Sequence, residues 1–247
     1  MIQLFNTIFY QPIFNLLIWL YNVIPGSDIG VAIIILTIIL KILLYPLSKK
    51  SLESQKAMQG IQPKLKEVQE KYKDNKQAQT KAVMELYSRE KVSPFSSCLP
   101  LLIQLPFLIA LYQVLMDGLK SQKMELLYPF VKNPGTINAI SFGFLDLSKP
   151  NIALAVLSGL AQFWQAKMFS TMTPPKSAGA GGKDESMMAT MNKQMVYFMP
   201  AMTVVIGVSL PGGLTLYWLV MTLLTVLQQW WFFRNDKKPA VEIIKPR

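Results

Sequence analysis

Apolar residues fall in long, nearly unbroken runs along this chain, with the polar residues gathered between them. A helix needs about 20 mostly apolar residues to cross a hydrocarbon core, and five segments read that way: 29–47, 94–117, 150–170, 194–210 and 211–233. The fourth is short, and Pro211-Gly212-Gly213 at the start of the fifth is a tight-turn signal, so the two read as a transmembrane hairpin. Residues 4–24, within a segment 1–28 of helix and turn, are also apolar, but Thr7, Gln11, Asn15 and Asn22 form one polar stripe beside Phe14, Trp19 and Tyr21. That pattern predicts an external helix lying on the membrane interface, with Pro25-Gly26-Ser27-Asp28 turning into the first span; a sixth span is the alternative. A signal peptide fits poorly, since no positive residue precedes the apolar part.

The polar segment 48–93 has its own periodicity. Met58, Ile61, Leu65, Val68 and Tyr72 recur at alternating spacings of three and four, Lys73-Asp74-Asn75 interrupts them, and Ala82, Val83, Leu86 and Tyr87 resume the pattern. Two short antiparallel helices are predicted. Segment 171–193 contains Pro174-Pro-Lys-Ser-Ala-Gly-Ala-Gly-Gly182, a flexible linker by composition.

Composition agrees with the spans: 51% of residues are hydrophobic and 16% charged, against about 25% charged in soluble domains. The chain reads as an integral membrane protein. Its net charge of +11 would suit nucleic acid if it were spread evenly, but it is not. Residues 48–93 hold 11 Lys/Arg against 6 Asp/Glu, residues 1–28 hold no Lys or Arg, and the tail 234–247 holds five. The positive-inside rule puts the N-terminus outside, 48–93, 171–193 and the basic tail in the cytoplasm, and the loop 118–149 outside. This is a multi-pass protein of the cell (plasma or inner) membrane, and nothing points to DNA.

Candidate chemistry is narrowed by what is missing. There is one cysteine, Cys98, and no histidine, so a disulfide framework, a zinc site and the commonest proton-transfer base are all disfavoured. No P-loop pattern occurs, and no enzymatic activity, cofactor or metal is expected. The conspicuous residue is Lys41, a cation inside Leu36-Thr-Ile-Ile-Leu-Lys-Ile-Leu-Leu-Tyr-Pro-Leu47. A charge at membrane depth costs about 2.5 to 3.5 kcal/mol on insertion scales and usually faces a protein interior or a watery cavity. Lys41 lies about six residues, or roughly 9 Å, from the cytoplasmic end of its span, and Thr37 is one turn away on the same face.

Gln104, Gln162, Gln165, Gln228 and Gln229 also fall in the cytoplasmic halves of their spans, whereas the outer halves are nearly pure Val, Ile, Leu, Phe and Met. That asymmetry predicts a cavity open to the cytoplasm and sealed outside. Snorkelling of Lys41 to the interface and hydrogen bonding between helices are the plainer alternatives. The 14 methionines, several clustered at 187–202, read either as core packing or as an adaptable apolar surface. Tyr217 and Trp218 read as packing or as lining.

Several stretches, in order, resemble the YidC/Oxa1/Alb3 membrane protein insertases. They are Leu36 to Leu47, Gln62-Pro-Lys64, Leu86-Tyr-Ser-Arg-Glu-Lys-Val-Ser-Pro94, Cys98-Leu-Pro-Leu-Leu-Ile-Gln-Leu-Pro106, Ala110-Leu-Tyr112 and Pro211-Gly-Gly-Leu-Thr-Leu-Tyr-Trp218. The resemblance, to the bacterial type without the large external domain, runs from about residue 25 to 233. It implies an all-α integral membrane protein: five transmembrane helices enclosing an inner-leaflet hydrophilic groove, an external interfacial helix and a cytoplasmic helical hairpin.

The resemblance further implies insertion and folding of nascent membrane proteins, alone or beside the Sec translocon. Lys41 stands where family members carry a groove arginine; it keeps the charge but loses the bidentate fork for carboxylates. Thr37, Gln104 and Trp218 match groove positions, and Gln165 joins them by depth. Nascent chains and membrane lipids are the implied partners, with the ribosome as a further candidate for the hairpin and the basic tail. A small-solute transporter or an assembly scaffold is the alternative; a transporter would predict internal repeats, and the sequence has none.

Overall fold

The computed structural model describes residues 2–92, 99–171 and 194–235. The glycine-rich linker, the methionines at 187–191, Cys98 and nearly all of the basic tail fall outside them. Helix dominates what is described.

The N-terminal helix runs from α1 (Ile2–Phe5) through a π-helical turn (Asn6–Tyr10) into α2 (Gln11–Val23). Pro12 supplies no N–H to the carbonyl one turn back, and the widened turn ahead of it absorbs the mismatch. The same device recurs later, where a π-turn (Gln194–Phe198) leads into α9 (Met199–Gly207) two residues before Pro200. After Val23 the chain turns through Gly26 and Ser27, both at positive φ, and Asp28 caps α3 (Ile29–Leu43). At Leu44 the backbone bends by 64° into α4 (Tyr45–Gly60). Pro46 explains why the helix stops at Leu43 rather than continuing to 47, because it cannot donate to the ladder and its ring crowds the preceding turn.

The polar segment 48–93 holds three helical pieces where two were expected: its first part, 48–60, continues α4, and α5 (Gln62–Lys71) and α6 (Lys76–Arg89) follow and pack together across a short turn. Asn75 caps α6 by accepting from the Ala78 N–H at 3.0 Å. Ala57, Ile61 and Val92 form a small buried cluster with Met58 and Tyr87 against it, and Lys64 pairs with Glu90 at 2.7 Å. Burial pushes the Tyr87 hydroxyl pKa up.

The remaining helices are α7 (Leu99–Leu119), with Pro106 inside it, α8 (Ile152–Thr171) and α10 (Gly212–Asn235). The loop between α7 and α8 carries a two-stranded antiparallel hairpin absent from the all-helical expectation. In it, β1 (Ile140–Ser141) pairs with β2 (Leu145–Asp146), Ile140 opposite Asp146 and Ser141 opposite Leu145. Judged by length and composition among the described residues, one helix, Gly212–Arg234, is long and apolar enough to cross a membrane, or two if the bent pair 29–58 counts as one span. Gln104–Leu119 and Val196–Gly207 are apolar but shorter.

α10 packs against α3 and α8, α8 against α9, and α2 against α3 and α7. The main core joins Phe14, Leu17 and Ile18 of α2 to Ile29, Ile33 and Leu36 of α3, Leu111 and Leu115 of α7, and Tyr217 of α10. α8 and α9 cross closely at Gly207, where an added Cβ would lie 2.9 Å from that of Ala155. The polar stripe of the N-terminal helix is largely spent on the loop after α7. Gln11 and Asn15 donate to the Leu126 carbonyl, Asn15 accepts from the Tyr128 N–H at 2.6 Å, and Asn22 donates to the Lys132 carbonyl. Tyr10 donates to Asp117 at 2.8 Å, and Lys123 pairs with the same carboxylate oxygen at 2.8 Å.

Asp28 ties the start of α3 to the hairpin. Its carboxylate accepts from the N–H groups of Gly30 (2.8 Å), Val31 (3.1 Å) and Phe142 (2.6 Å) and from the Ser141 hydroxyl. Burial alone would raise its pKa, but these four donors outweigh it and hold the carboxyl below the usual carboxylate range. Gly30 is required here, since a Cβ on it would run into the Ser141 side chain and come within 3.2 Å of Leu147.

Two outcomes follow. Gly30→Ala should destabilise the detergent-solubilised protein by about 1–3 kcal/mol through overpacking, read as a lowered thermal midpoint. Because the folded-state pKa of Asp28 is depressed, its stabilisation is complete at neutral pH and is lost as pH falls below the ordinary value of about 3.9. Asp28→Asn should therefore flatten the acid limb of the stability profile, followed by helical circular dichroism.

Candidate functional site

α3 and α10 lie side by side, and their contact holds the polar group that the sequence made conspicuous. Lys41, half-buried, donates from Nζ to Thr225 Oγ1 at 2.8 Å, and Thr225 donates in turn to the Met221 carbonyl at 2.7 Å. The threonine thus spends its proton on its own helix and offers a lone pair to the ammonium. One turn earlier on α3, Thr37 is fully buried and donates to the Ile33 carbonyl at 2.6 Å. Its hydroxyl hydrogen is used locally.

Of the other predicted positions, Gln104 and Trp218 meet on the same helix nearer its start. Gln104 of α7 donates from Nε2 to the Tyr217 hydroxyl, two turns of α10 before Thr225. Trp218 is half-buried next to Tyr217, and the Thr222 hydroxyl donates to its carbonyl at 2.8 Å. Gln165 lies half-buried on α8, and among the described residues no hydrogen bond joins it to the other four. Its neighbour one turn back, Gln162, accepts from Thr203 of α9.

A cleft of about 460 Å³ opens where α3 bends into α4 beside the last turns of α10. Lys41, Tyr45, Gln228, Trp230 and Trp231 line it together with aliphatic side chains. The Gln228 amide nitrogen is shielded from solvent without a hydrogen-bond partner, and Arg234 stacks over the Trp230 ring at 5.0 Å. The cleft is an apolar trough with a cation at its wall. Among the described residues no group of three His, Cys, Asp or Glu side chains could hold a metal ion.

Sequence reasoning overlooked Thr225 and Thr222, although a signal was available. Trp218, Thr222, Thr225 and Gln229 recur at spacings of 4, 3 and 4, a polar stripe along an otherwise apolar helix. All four are buried or half-buried in the structure.

The family model described as 60Kd inner membrane protein matches residues 19–239. The chain belongs to the YidC/Oxa1 family. Proteins named membrane protein insertase YidC from Francisella tularensis subspecies novicida (strain U112), tularensis (strain WY96-3418) and holarctica (strain FTNF002-00 / FTA) are each 36% identical to it over 225 residues. The alignment covers 90% of this chain and 36% of each relative, so the chain spans about a third of their length. Family membership and the mostly helical fold together make this chain a mostly helical membrane protein, with the inner membrane as the compartment of the family.

Thr225→Val should leave the Lys41 ammonium without its acceptor at a cost of about 1–3 kcal/mol or more, whereas Thr225→Ser should be nearly neutral. Thermal unfolding in detergent separates the two.

Proposed function

We propose that this chain receives hydrophobic segments of other membrane proteins from the cytoplasm and passes them into the bilayer through a positively charged groove, alone or with the Sec translocon. The observation that carries this reading is the Lys41 ammonium, pinned by Thr225 at the wall of a cleft, in a chain whose relatives are named insertases. In this proposal α3, α7, α8, α9 with its π-turn, and α10 are the five spans. The N-terminal helix lies outside, and α5–α6 form the cytoplasmic hairpin. The charge distribution supports that orientation.

An ammonium has three donors, and Thr225 occupies one. The remaining two can meet an acidic residue in the polar flank of an arriving chain. Gln104, Trp218 and Gln165 extend the polar and aromatic lining, and Thr37 sets the packing one turn behind the cation. A polar inner half shortens the path that a polar flank must cross through hydrocarbon, where each unsatisfied backbone group costs several kcal/mol. Release of the substrate's own apolar helix into lipid, at about 25 cal/mol per Å² of apolar surface, drives the step without nucleotide hydrolysis.

The α5–α6 hairpin and the basic tail are the surfaces that would meet the ribosome, through the phosphates of its RNA. Salt-dependent cosedimentation of ribosomes with membranes should require the chain beyond residue 234.

In reconstituted vesicles, Lys41→Ala should reduce insertion of substrates with acidic translocated flanks most, and Lys41→Arg should restore it. Equal insertion of all substrates by the alanine variant would remove the attractor role. A photocrosslinker at position 41 should capture a nascent single-span chain; a small-solute transporter would give no such adduct.

A further inference from the structure

The β1–β2 hairpin ends in Phe142-Gly143-Phe144, an aromatic tip that the proposed groove does not use. Phe144 is 82% exposed, Phe142 45% and Ile140 51%. Three large apolar side chains on a turn of this size are unusual for a surface that meets water alone. The backbone that presents them is also costly. Phe142 adopts φ +54 and Gly143 φ +81, and a phenylalanine in the left-handed region needs outside support.

That support comes from the cap of α3. Asp28 takes the Phe142 N–H at 2.6 Å and the Ser141 hydroxyl while capping Gly30 and Val31. The hairpin is then pinned to α10 as well. The Gly212 N–H donates to the Lys149 carbonyl at 2.9 Å and the Gly213 N–H to the Leu147 carbonyl at 3.0 Å, with Leu147 fully buried beneath them. The tip is therefore held at a fixed height relative to the first residues of two apolar helices.

We infer that Phe142 and Phe144 form a membrane-interface anchor, their rings seated at the headgroup–acyl boundary of the leaflet into which α3 and α10 begin. This rests on the reading of α3 and α10 as spans. Their first residues mark the level at which hydrocarbon gives way to headgroups, the depth that amphipathic and aromatic anchors occupy. Ile152, the first residue of α8, is 71% exposed, and the Lys149 carbonyl three residues before it is bound to the start of α10, so a further bare apolar side chain lies near the same rim. The nearest charges on the hairpin, Asp146 and Lys149, neutralise each other at 3.0 Å. The Asp28 carboxylate beside the tip is taken up by the Phe142 N–H, the Ser141 hydroxyl and the first amides of α3. The strained turn buys orientation: it aims the rings outward from the rim instead of letting them fold back onto the loop.

The test uses the full chain with Cys98→Ser and single spin labels at positions 144, 133 and 223, reconstituted into phosphatidylethanolamine/phosphatidylglycerol vesicles. Phe144 is chosen because it is exposed and has ordinary backbone; Phe142 is left intact. Collision with oxygen should exceed collision with a water-soluble nickel chelate severalfold at 144, as at 223 in α10, and the order should reverse at the polar turn position 133. A label at 144 that behaves like 133 while 223 stays lipid-exposed overturns the anchor and leaves the spans standing. Protection from both probes at 144 also overturns it, since protein would then cover the tip. Nickel access at 223 instead removes the spanning reading, and the anchor with it.

Discussion

An ammonium carried on an apolar helix must have an acceptor within reach, because a charge taken out of water without a partner costs several kcal/mol. Thr225 meets that requirement for Lys41, and in doing so ties α3 to α10 at that level. The same helix answers other elements. Gln104 of α7 reaches Tyr217, and Ser158 of α8 reaches the Thr215 carbonyl at 3.2 Å. α10 is thus the common partner to which three helices bring polar groups. Were α10 rotated by a quarter turn, each of these would be left unsatisfied at once.

The two ends of this assembly are treated in opposite ways. At the Asp28 end the structure is closed: Gly30 admits Ser141 against its backbone, Leu147 is buried between α3 and the Gly212-Gly213 turn, and one carboxylate gathers four donors. At the Lys41 end it is open, with the bend at Leu44 carrying α4 away and leaving a cleft beside the last turns of α10. Small residues and saturated hydrogen bonding make a tight end. A proline-enforced bend and unpaired donors make a receptive one.

Much of this was legible in the residues. Of the residues that the three-and-four spacing marked, Met58, Ile61 and Tyr87 meet in the small cluster joining α4, α5 and α6, and Leu65 is buried on α5. The cost of a cation in an apolar run singled out Lys41 before any partner for it was visible. The stripe of Thr7, Gln11, Asn15 and Asn22 was legible as a polar face but not as to its use. Amphipathicity says that one side is polar, and only the folded loop shows that Gln11, Asn15 and Asn22 spend their amides on the backbone at 126–132. Thr225 went unnoticed because a threonine in a span satisfies itself on the preceding turn and leaves no deficit to read.

By itself the sequence determined which segments are apolar, where the basic residues collect, that a cation lies in the helix before Pro46, and to which family the order of motifs belongs. These are properties of composition and period, and they survive any arrangement of the helices. The tertiary structure decided which hydroxyl accepts from Lys41, which helix serves as the shared partner, and that Phe142 is held in a strained turn by a residue 114 positions away. Those outcomes depend on distances of about 3 Å between groups remote in the chain, and hydrogen bonds weaken too steeply with distance and angle for any local pattern to specify them.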